Sequence, residues 1–457
     1  VSTDPDGYAL TWSYAVTTGS LTNGGGATAT VSQADNVFTI TPTTTNSYGG
    51  EFSITFSASD GTNTATAISA FTLVFAYTWS STTQQQKLVA SDAQAGDRFG
   101  YSTSISGDTV VVGAYAEDTG GADAGAAYIF TRSGTTWSQQ AKLQASDKAA
   151  NDRFGWSVAI SGDTVVVGAY YEDTGGSNAG AAYVFTRSGT TWSQQQKIQS
   201  SDKAANDQFG SAVAIEDNTI IVGAHVEGGT GAAYVFTRSG TTWSQQQKIV
   251  ASDAQATDYF GYKVGINGDT VVVASQQEDA GGSNAGAGYV FTRSGTTWSQ
   301  QAKLTASDAQ ANDYFDAIKI DGDTVVAGAW GEDTGGSNAG AAYVFTRSGT
   351  TWTQQQKIVA SDAAADDYFG IGVNIKGDVL VVGGAGEDTG GTNAGAAYVF
   401  TRSGTTWTQQ KKLVASDAAA SDWLGIEVDI DADTIVVGAP IQNATGASGY
   451  AYVFTAP

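Results

Sequence analysis

Seven times the chain returns to the same two-residue landmark: Phe99-Gly100, Phe154-Gly155, Phe209-Gly210, Phe260-Gly261, Phe315-Asp316, Phe369-Gly370 and Leu424-Gly425, spaced 51 to 55 residues apart. Self-similarity at a fixed period constrains a fold more than any local propensity, because each unit must bury its apolar face against a copy of itself. The second unit has four strand-like segments, at 156–160, 164–169, 181–187 and 191–198. Ser161-Gly162-Asp163 and Ser188-Gly189 join them as tight hairpin turns. Four antiparallel strands repeated seven times predict an all-β chain forming a seven-bladed β-propeller, the alternative being an open solenoid.

The termini discriminate between the two. The last unit stops at Tyr452-Val453-Phe454-Thr455-Ala456-Pro457, without the Trp-Ser-Gln-Gln-Gln-Lys-Ile-type strand that follows this segment in the other units. That strand stands before the first unit instead, from Thr78-Trp79 through Gln84-Gln85-Gln86-Lys87-Leu88. A ring closed by this shared N-terminal strand is expected, since a solenoid would carry capping units. Gln and Lys alternating with one Trp read as an exposed outer edge that resists pairing with another chain.

Residues 1–76 differ in composition, rich in Thr and Ser and free of Lys and Arg. Alternating runs such as Val37-Phe38-Thr39-Ile40 and Phe52-Ser53-Ile54-Thr55-Phe56, with turns at Asn23-Gly24-Gly25-Gly26 and Asp60-Gly61, predict a small β-sandwich. The expected organisation is a sandwich over 1–76 and a propeller over 77–457. The chain begins at Val1, inside what reads as a strand or turn, and is expected to be a mature fragment of something longer.

Composition removes most chemistry. With Cys 0 and a single histidine, His225, there is no disulfide, no thiolate site and no repeated Ser-His-Asp arrangement. Asp and Glu outnumber Lys and Arg 45 to 21, for a net charge of -24, which disfavours nucleic acid and anionic membrane surfaces as partners. No apolar run approaches the roughly 20 residues of a membrane helix.

Within each unit, Phe154-Gly155, Gly162-Asp163, Val167-Gly168-Ala169 and the run at 180–185, with Gly438-Ala439-Pro440 as the one literal Gly-Ala-Pro, resemble the FG-GAP repeat of integrin α-subunit propellers and of bacterial and viral surface proteins. Asp4-Pro5-Asp6-Gly7 and Ser57-Ala58-Ser59-Asp60-Gly61 resemble cadherin-like and immunoglobulin-like surface modules. Together with the Ser-Gly-Thr-Thr-Trp spacers, the whole is similar to surface or virion-fibre proteins of marine bacteria and their phages. The resemblance implies an extracellular, cell-surface or virion-surface location.

The family's calcium loops do not carry over. Ca²⁺ needs six to eight converging oxygens, and here the first-to-second strand connection has shrunk to Ser106-Gly107-Asp108 and its equivalents. Asp108, Asp163, Asp269, Asp323 and Asp378 read as turn formers. A second repeated feature is a pair of aspartates: Asp92 and Asp97, Asp147 and Asp152, Asp202 and Asp207, Asp253 and Asp258, Asp308 and Asp313, Asp362 and Asp367, Asp417 and Asp422. Turn capping, cation binding and catalysis are open to them. Seven identical copies favour capping, since a catalytic pair needs one asymmetric environment. No cofactor is required; Ca²⁺ remains an option at Asp92, Asp97, Asp147 and Asp152, or at Asp4, Asp6 and Asp60. Acidic loops such as Glu172-Asp173-Thr174 are expected on one face and Arg132, Arg187, Arg238, Arg293, Arg347 and Arg402 on the other.

Where near-identical repeats disagree, the scaffold does not dictate the residue. The differences fall after Gly-Ala, at Tyr115, Tyr170, Tyr171, His225, Gln276, Gln277, Trp330 and Pro440, and around Phe-Gly, at Tyr101, Trp156, Tyr262, Tyr259, Tyr314, Tyr368 and Trp423. Aromatic rings beside carboxylates and amides stack on sugar faces and hydrogen-bond hydroxyls; packing between blades is the competing task. The expectation is a non-enzymatic adhesion or recognition protein presenting an acidic, aromatic-bearing loop face to a receptor or polysaccharide. The alternative is a structural spacer or decoration unit contacting other chains of a fibre or surface assembly. Asn443-Ala444-Thr445 matches a glycosylation sequon.

Overall fold

The computed structural model describes residues 11–18, 29–34, 37–42, 50–59, 64–73, 77–441 and 448–457. The chain divides into two compact units, one of residues 1–81 with 456–457, the other of residues 82–455. In the first, Thr11–Thr18, Gly50–Ser59 and Thr64–Leu73 form an antiparallel sheet in that order, and Ala29–Ala34 pairs with Val37–Pro42. Asp4, Asp6, Asp60, the 19–28 connection of the expected sandwich and the Asn443 sequon lie outside the described residues.

The second unit is a seven-bladed propeller. Blade 2 shows the plan: Ser157–Ser161, Thr164–Ala169, Ala181–Ser188 and Thr191–Ile198 pair in sequence order. Its hairpins are the two-residue turns read from the sequence, with Ser161 opposite Thr164 and Ser188 opposite Thr191. The second strand is buried at every position. That explains its unbroken Val165-Val166-Val167 run, because neighbouring blades cover both its faces. One such interblade core joins Val111 and Ile129 of blade 1 to Phe154, Val165, Val167 and Tyr183 of blade 2.

The Phe-Gly landmark builds the seam. Phe154 is fully buried, with its ring 5.5 Å from Tyr183 and 5.9 Å from Phe185 in edge-on contact. Gly155 has φ +92°, and a Cβ on it would lie 2.2 Å from the Ala126 carbonyl oxygen of blade 1. Only glycine permits both the backbone conformation and that approach.

Blade 7 consists of Val428–Asp431, Thr434–Ala439, Tyr450–Thr455 and, as its outer strand, Thr83–Leu88. Ala451 pairs with Leu88 and Thr455 with Thr83. Leu88, Val436 and Val453 then share a core with Phe99, Val110 and Tyr128 of blade 1. The first strands of successive blades touch all the way round, so they line the axis. Among the described residues no helix is long and apolar enough to cross a membrane.

The outer strands correct one expectation. Their glutamines are half-buried rather than a solvated edge, because they bridge blades: Trp243 Nε1 donates to Gln195 Oε1 at 3.0 Å, and Ser201 N donates to Gln245 Oε1 at 2.9 Å.

Candidate functional site at the propeller axis

The inner strands enclose a cavity of about 430 Å³ at the axis. It opens where the second strands end, so the residues after Gly-Ala and those after Phe-Gly meet there although the sequence separates them. Tyr101, Trp156, Tyr170, Tyr171, His225, Tyr262, Gln276 and Trp330 all line it. All eight are sites of disagreement between repeats, which is the signal that picked them out.

On the side of blades 1 and 2 the wall is aromatic. Trp156 lies 4.5 Å from Tyr101, 5.0 Å from Tyr115 and 4.4 Å from Tyr170, centroid to centroid, and Tyr170 lies 4.0 Å from Tyr171. Arg153 backs this cluster, its guanidinium 4.6 Å from the Tyr171 ring centre and donating to the Tyr170 hydroxyl. Burial, and then the neighbouring hydroxyls of Tyr262, Tyr115 and Tyr170, hold the Tyr101 phenol well above its ordinary pKa, so it stays a neutral donor.

Facing that wall, blades 4, 5 and 7 supply charge. Lys263 Nζ lies 3.0 Å from Glu427 Oε2 across the axis. Burial works to lower the Lys263 pKa, but Glu427 outweighs it and the net shift is upward. Asp316, buried at 5 % exposure, accepts from Gln276 Nε2 at 2.8 Å and Trp330 Nε1 at 3.2 Å. Burial pushes its carboxyl up to about 6, against the pull of Gln276, Lys263 and Trp330. His225 sits edge-on to Tyr259 and Tyr262. Burial drives its pKa down to about 4, leaving the imidazole neutral. The arrangement offers a flat apolar surface opposite fixed donors and acceptors.

Other predicted residues fall outside the lining. Tyr115 packs behind Tyr101 and Trp156. Tyr259, Tyr314, Tyr368 and Trp423 each immediately precede the landmark, with left-handed φ of 57°, 52°, 53° and 58°. Tyr259 meets the cavity residue His225 edge-on at 5.6 Å, and the other three connect to the cavity through Trp330, which stacks on Tyr314 at 4.4 Å and meets Tyr368 edge-on at 5.9 Å; Tyr368 in turn stacks on Trp423 at 6.1 Å. The rings that line the cavity thus also pack against one another. Sequence reasoning missed Arg153, Lys263, Asp316 as a side chain, and Glu427. Each departs from its repeat: Arg153 stands at the position of Tyr259 and Tyr314, Lys263 and Glu427 at that of Ser102 and Ser157, and Asp316 at that of the landmark glycine.

The paired aspartates resolve into two structural tasks. Asp147 accepts from the Tyr183 hydroxyl at 2.9 Å and pairs with Lys197 Nζ at 2.7 Å; Lys197 also meets the buried Glu172 at 2.8 Å. Asp92 has the same arrangement with Lys142 and Glu117. An ammonium thus lies between Asp147 and Glu172, and another between Asp92 and Glu117. Asp152 accepts the backbone N–H of Ala149 at 2.7 Å, as Asp97 does that of Gln94, capping the turn. Among the described residues no group of three or more His, Asp or Glu side chains converges as a metal site.

Charge segregation also needs correction. On the arginine side, Arg132, Arg187, Arg293, Arg347 and Arg402 pair with Asp108, Asp163, Asp269, Asp323 and Asp378. On the other side, Glu172 is neutralised by Lys197 and Asp173 accepts the Asn178 amide at 2.8 Å. The arginine side thus carries its own counter-charges, whereas on the loop side one lysine is shared between Asp147 and Glu172 and Asp173 has a neutral donor.

A family model for the FG-GAP repeat matches residues 82–130, 137–185, 192–236, 243–291, 298–345, 352–400 and 407–454. No curated protein matches the chain. Among solved structures, a candidate 6-phosphogluconolactonase from Bacteroides uniformis is similar, at 12% identity and TM-score 0.49 over 70% of this chain and 86% of that one. A likeness at that level carries no inference about activity.

Proposed function

This chain belongs to the FG-GAP repeat family, and from that premise we propose that it is a non-enzymatic recognition protein of a cell or particle surface, holding a glycan in the axial cavity. An FG-GAP propeller fits a surface or adhesion-type protein. The observation that supports a sugar as ligand is the opposition of the Tyr101, Trp156 and Tyr170 rings to the Gln276, Asp316, Lys263 and Glu427 side chains within one cavity. Pyranose rings have an apolar face and a hydroxylated edge, and this cavity has a surface for each. Its volume, about 430 Å³, suits one or two sugar units. Binding needs no metal in this reading, since Lys263 and Glu427 already balance one another.

Glycan-array screening of the wild type against Trp156→Ala tests the proposal. Binding that is lost in the variant supports it. An array blank for the wild type would overturn it and favour the structural role, in which the propeller is a spacer contacting other chains of an assembly.

A further inference from the structure

The seam between blades 4 and 5 departs from the others in several coupled ways. Elsewhere a glycine of one blade lies against the landmark glycine of the next; a Cβ on Gly168 would sit 2.0 Å from the Gly210 carbonyl oxygen, and one on Gly328 1.8 Å from that of Gly370. At this seam the corresponding residues are Ala274 and Asp316. Ser275 replaces the usual alanine and donates to the Asp258 carbonyl oxygen at 2.8 Å. Gly288 replaces the alanine of the third strand, where a Cβ would fall 2.7 Å from Ile318 Cδ1. Gln276 stands where the other blades carry aromatic residues or small ones, and it holds Asp316. A close backbone contact has thus been exchanged for a buried carboxylate at the cavity wall.

Of the two carboxylates lining the cavity, Glu427 has a cation at 3.0 Å. Asp316 is held by neutral donors, and no Lys, Arg or His nitrogen among the described residues lies within 4.0 Å of it. The nearby cations have other partners. Lys263 pairs with Glu427 and acts on Asp316 only through space, Arg153 is bonded to Tyr170 and stacked on Tyr171, and Lys319 acts on Asp429. An anionic sugar would find no unengaged cation there, whereas a cationic one would find a carboxylate with no cation in contact.

We propose that the axial cavity selects an amino sugar, its ring stacked on the Trp156 wall and its free ammonium received by Asp316, an inference that rests on the glycan reading above. A buried carboxylate with no cation in contact is costly to keep ionised. An ammonium that brings its own charge and hydrogen-bond donors recovers that cost, and the rings of Tyr262 and Trp330 on the same wall favour a cation over a neutral group.

The test is calorimetric titration at pH 7 with three oligosaccharides of one backbone, carrying a free amine, an N-acetylated amine or a hydroxyl. The wild type is expected to bind the free-amine form on the order of ten- to a hundredfold more tightly, the range of one charge-assisted hydrogen bond. Asp316→Asn, checked by thermal melting, is expected to abolish the preference among the three forms. Equal affinities in the wild type would overturn the ammonium assignment and leave the glycan reading intact. Failure to bind any of the three would remove both. A preference that survives in Asp316→Asn would show that the ammonium is received elsewhere, and the wild-type comparison decides the proposal even if the variant does not fold.

Discussion

Gln86 clasps the backbone of Trp137 across the seam where the ring closes: its Nε2 donates to the Trp137 carbonyl oxygen at 2.7 Å, and its Oε1 accepts the Trp137 N–H at 2.8 Å. Gln196 holds Trp243 in the same way, Gln247 holds Trp298 and Gln356 holds Trp407. Two seams have alanine at this position, Ala141 and Ala302, and the tryptophans beyond them, Trp192 and Trp352, are only half-buried, whereas the clasped ones are buried. The amide both satisfies the neighbouring backbone and covers the ring.

Installing the missing clasp is therefore expected to stabilise the propeller. Ala141→Gln and Ala302→Gln should each add about 0.5–1.5 kcal/mol, and Gln86→Ala should cost a similar amount. Urea denaturation measures the energies. A blue shift of tryptophan emission in the two gain variants would report burial of Trp192 and Trp352; no shift and no gain would show that the clasp is incidental.

Gly155 and Gly189 separate steric from conformational demand. Both have positive φ, +92° and +62°, but a Cβ on Gly155 meets the Ala126 carbonyl oxygen at 2.2 Å while one on Gly189 meets nothing within 4 Å. Gly189→Ala should cost about 1 kcal/mol, the left-handed penalty alone. Gly155→Ala should cost roughly 3 kcal/mol or more because the seam must open. Equal melting temperatures for the two variants would contradict this account of the landmark.

Lys197 binds two carboxylates of different exposure, Asp147 at 44 % and Glu172 at 6 %. Lys197→Met is expected to destabilise by about 2 kcal/mol, most of it from leaving Glu172 buried without its cation. The double variant Lys197→Met, Glu172→Gln should recover part of that loss. A double variant worse than the single by the full cost of a second lesion would argue against coupling.

The pH profile of stability follows from two sets of aspartates. Burial raises Asp152, Asp313, Asp316 and Asp429 to about 6 from 3.8, so the folded state binds their protons more tightly than the unfolded chain. Their contribution is fully present below the unfolded value and is lost as pH rises through about 6. Asp147, Asp253 and Asp308 shift the other way: burial would raise them, but their lysine and tyrosine partners outweigh it, so their contribution holds above 3.8 and fades as pH falls through their folded values. Stability should peak at about pH 4, decline as pH rises to about 6 and level off above it, the decline partly offset by His225, whose imidazole is held neutral by burial down to about 4. Chemical denaturation across pH 3–8 checks it, and Asp313→Asn should flatten that decline; a maximum at pH 7 or above would sink the assignment.

The repeats, the strands and their hairpin turns were legible because they are local: Gly162 and Gly189 mark turns within a few residues of the strands they join, and the period repeats that information seven times. Disagreement between repeats likewise marked Tyr101, Trp156, Tyr170 and Trp330 as free of scaffold duty. What only the tertiary structure decided is who meets whom. Lys263 and Glu427 are 164 positions apart and pair only because the ring brings blades 4 and 7 together at the axis. The outer glutamines read as edge residues until a neighbouring blade supplied the Trp137 backbone for Gln86 to hold. Repeats determine the unit through short-range geometry, whereas closure of the ring creates long-range contacts that the pattern within a single unit does not encode.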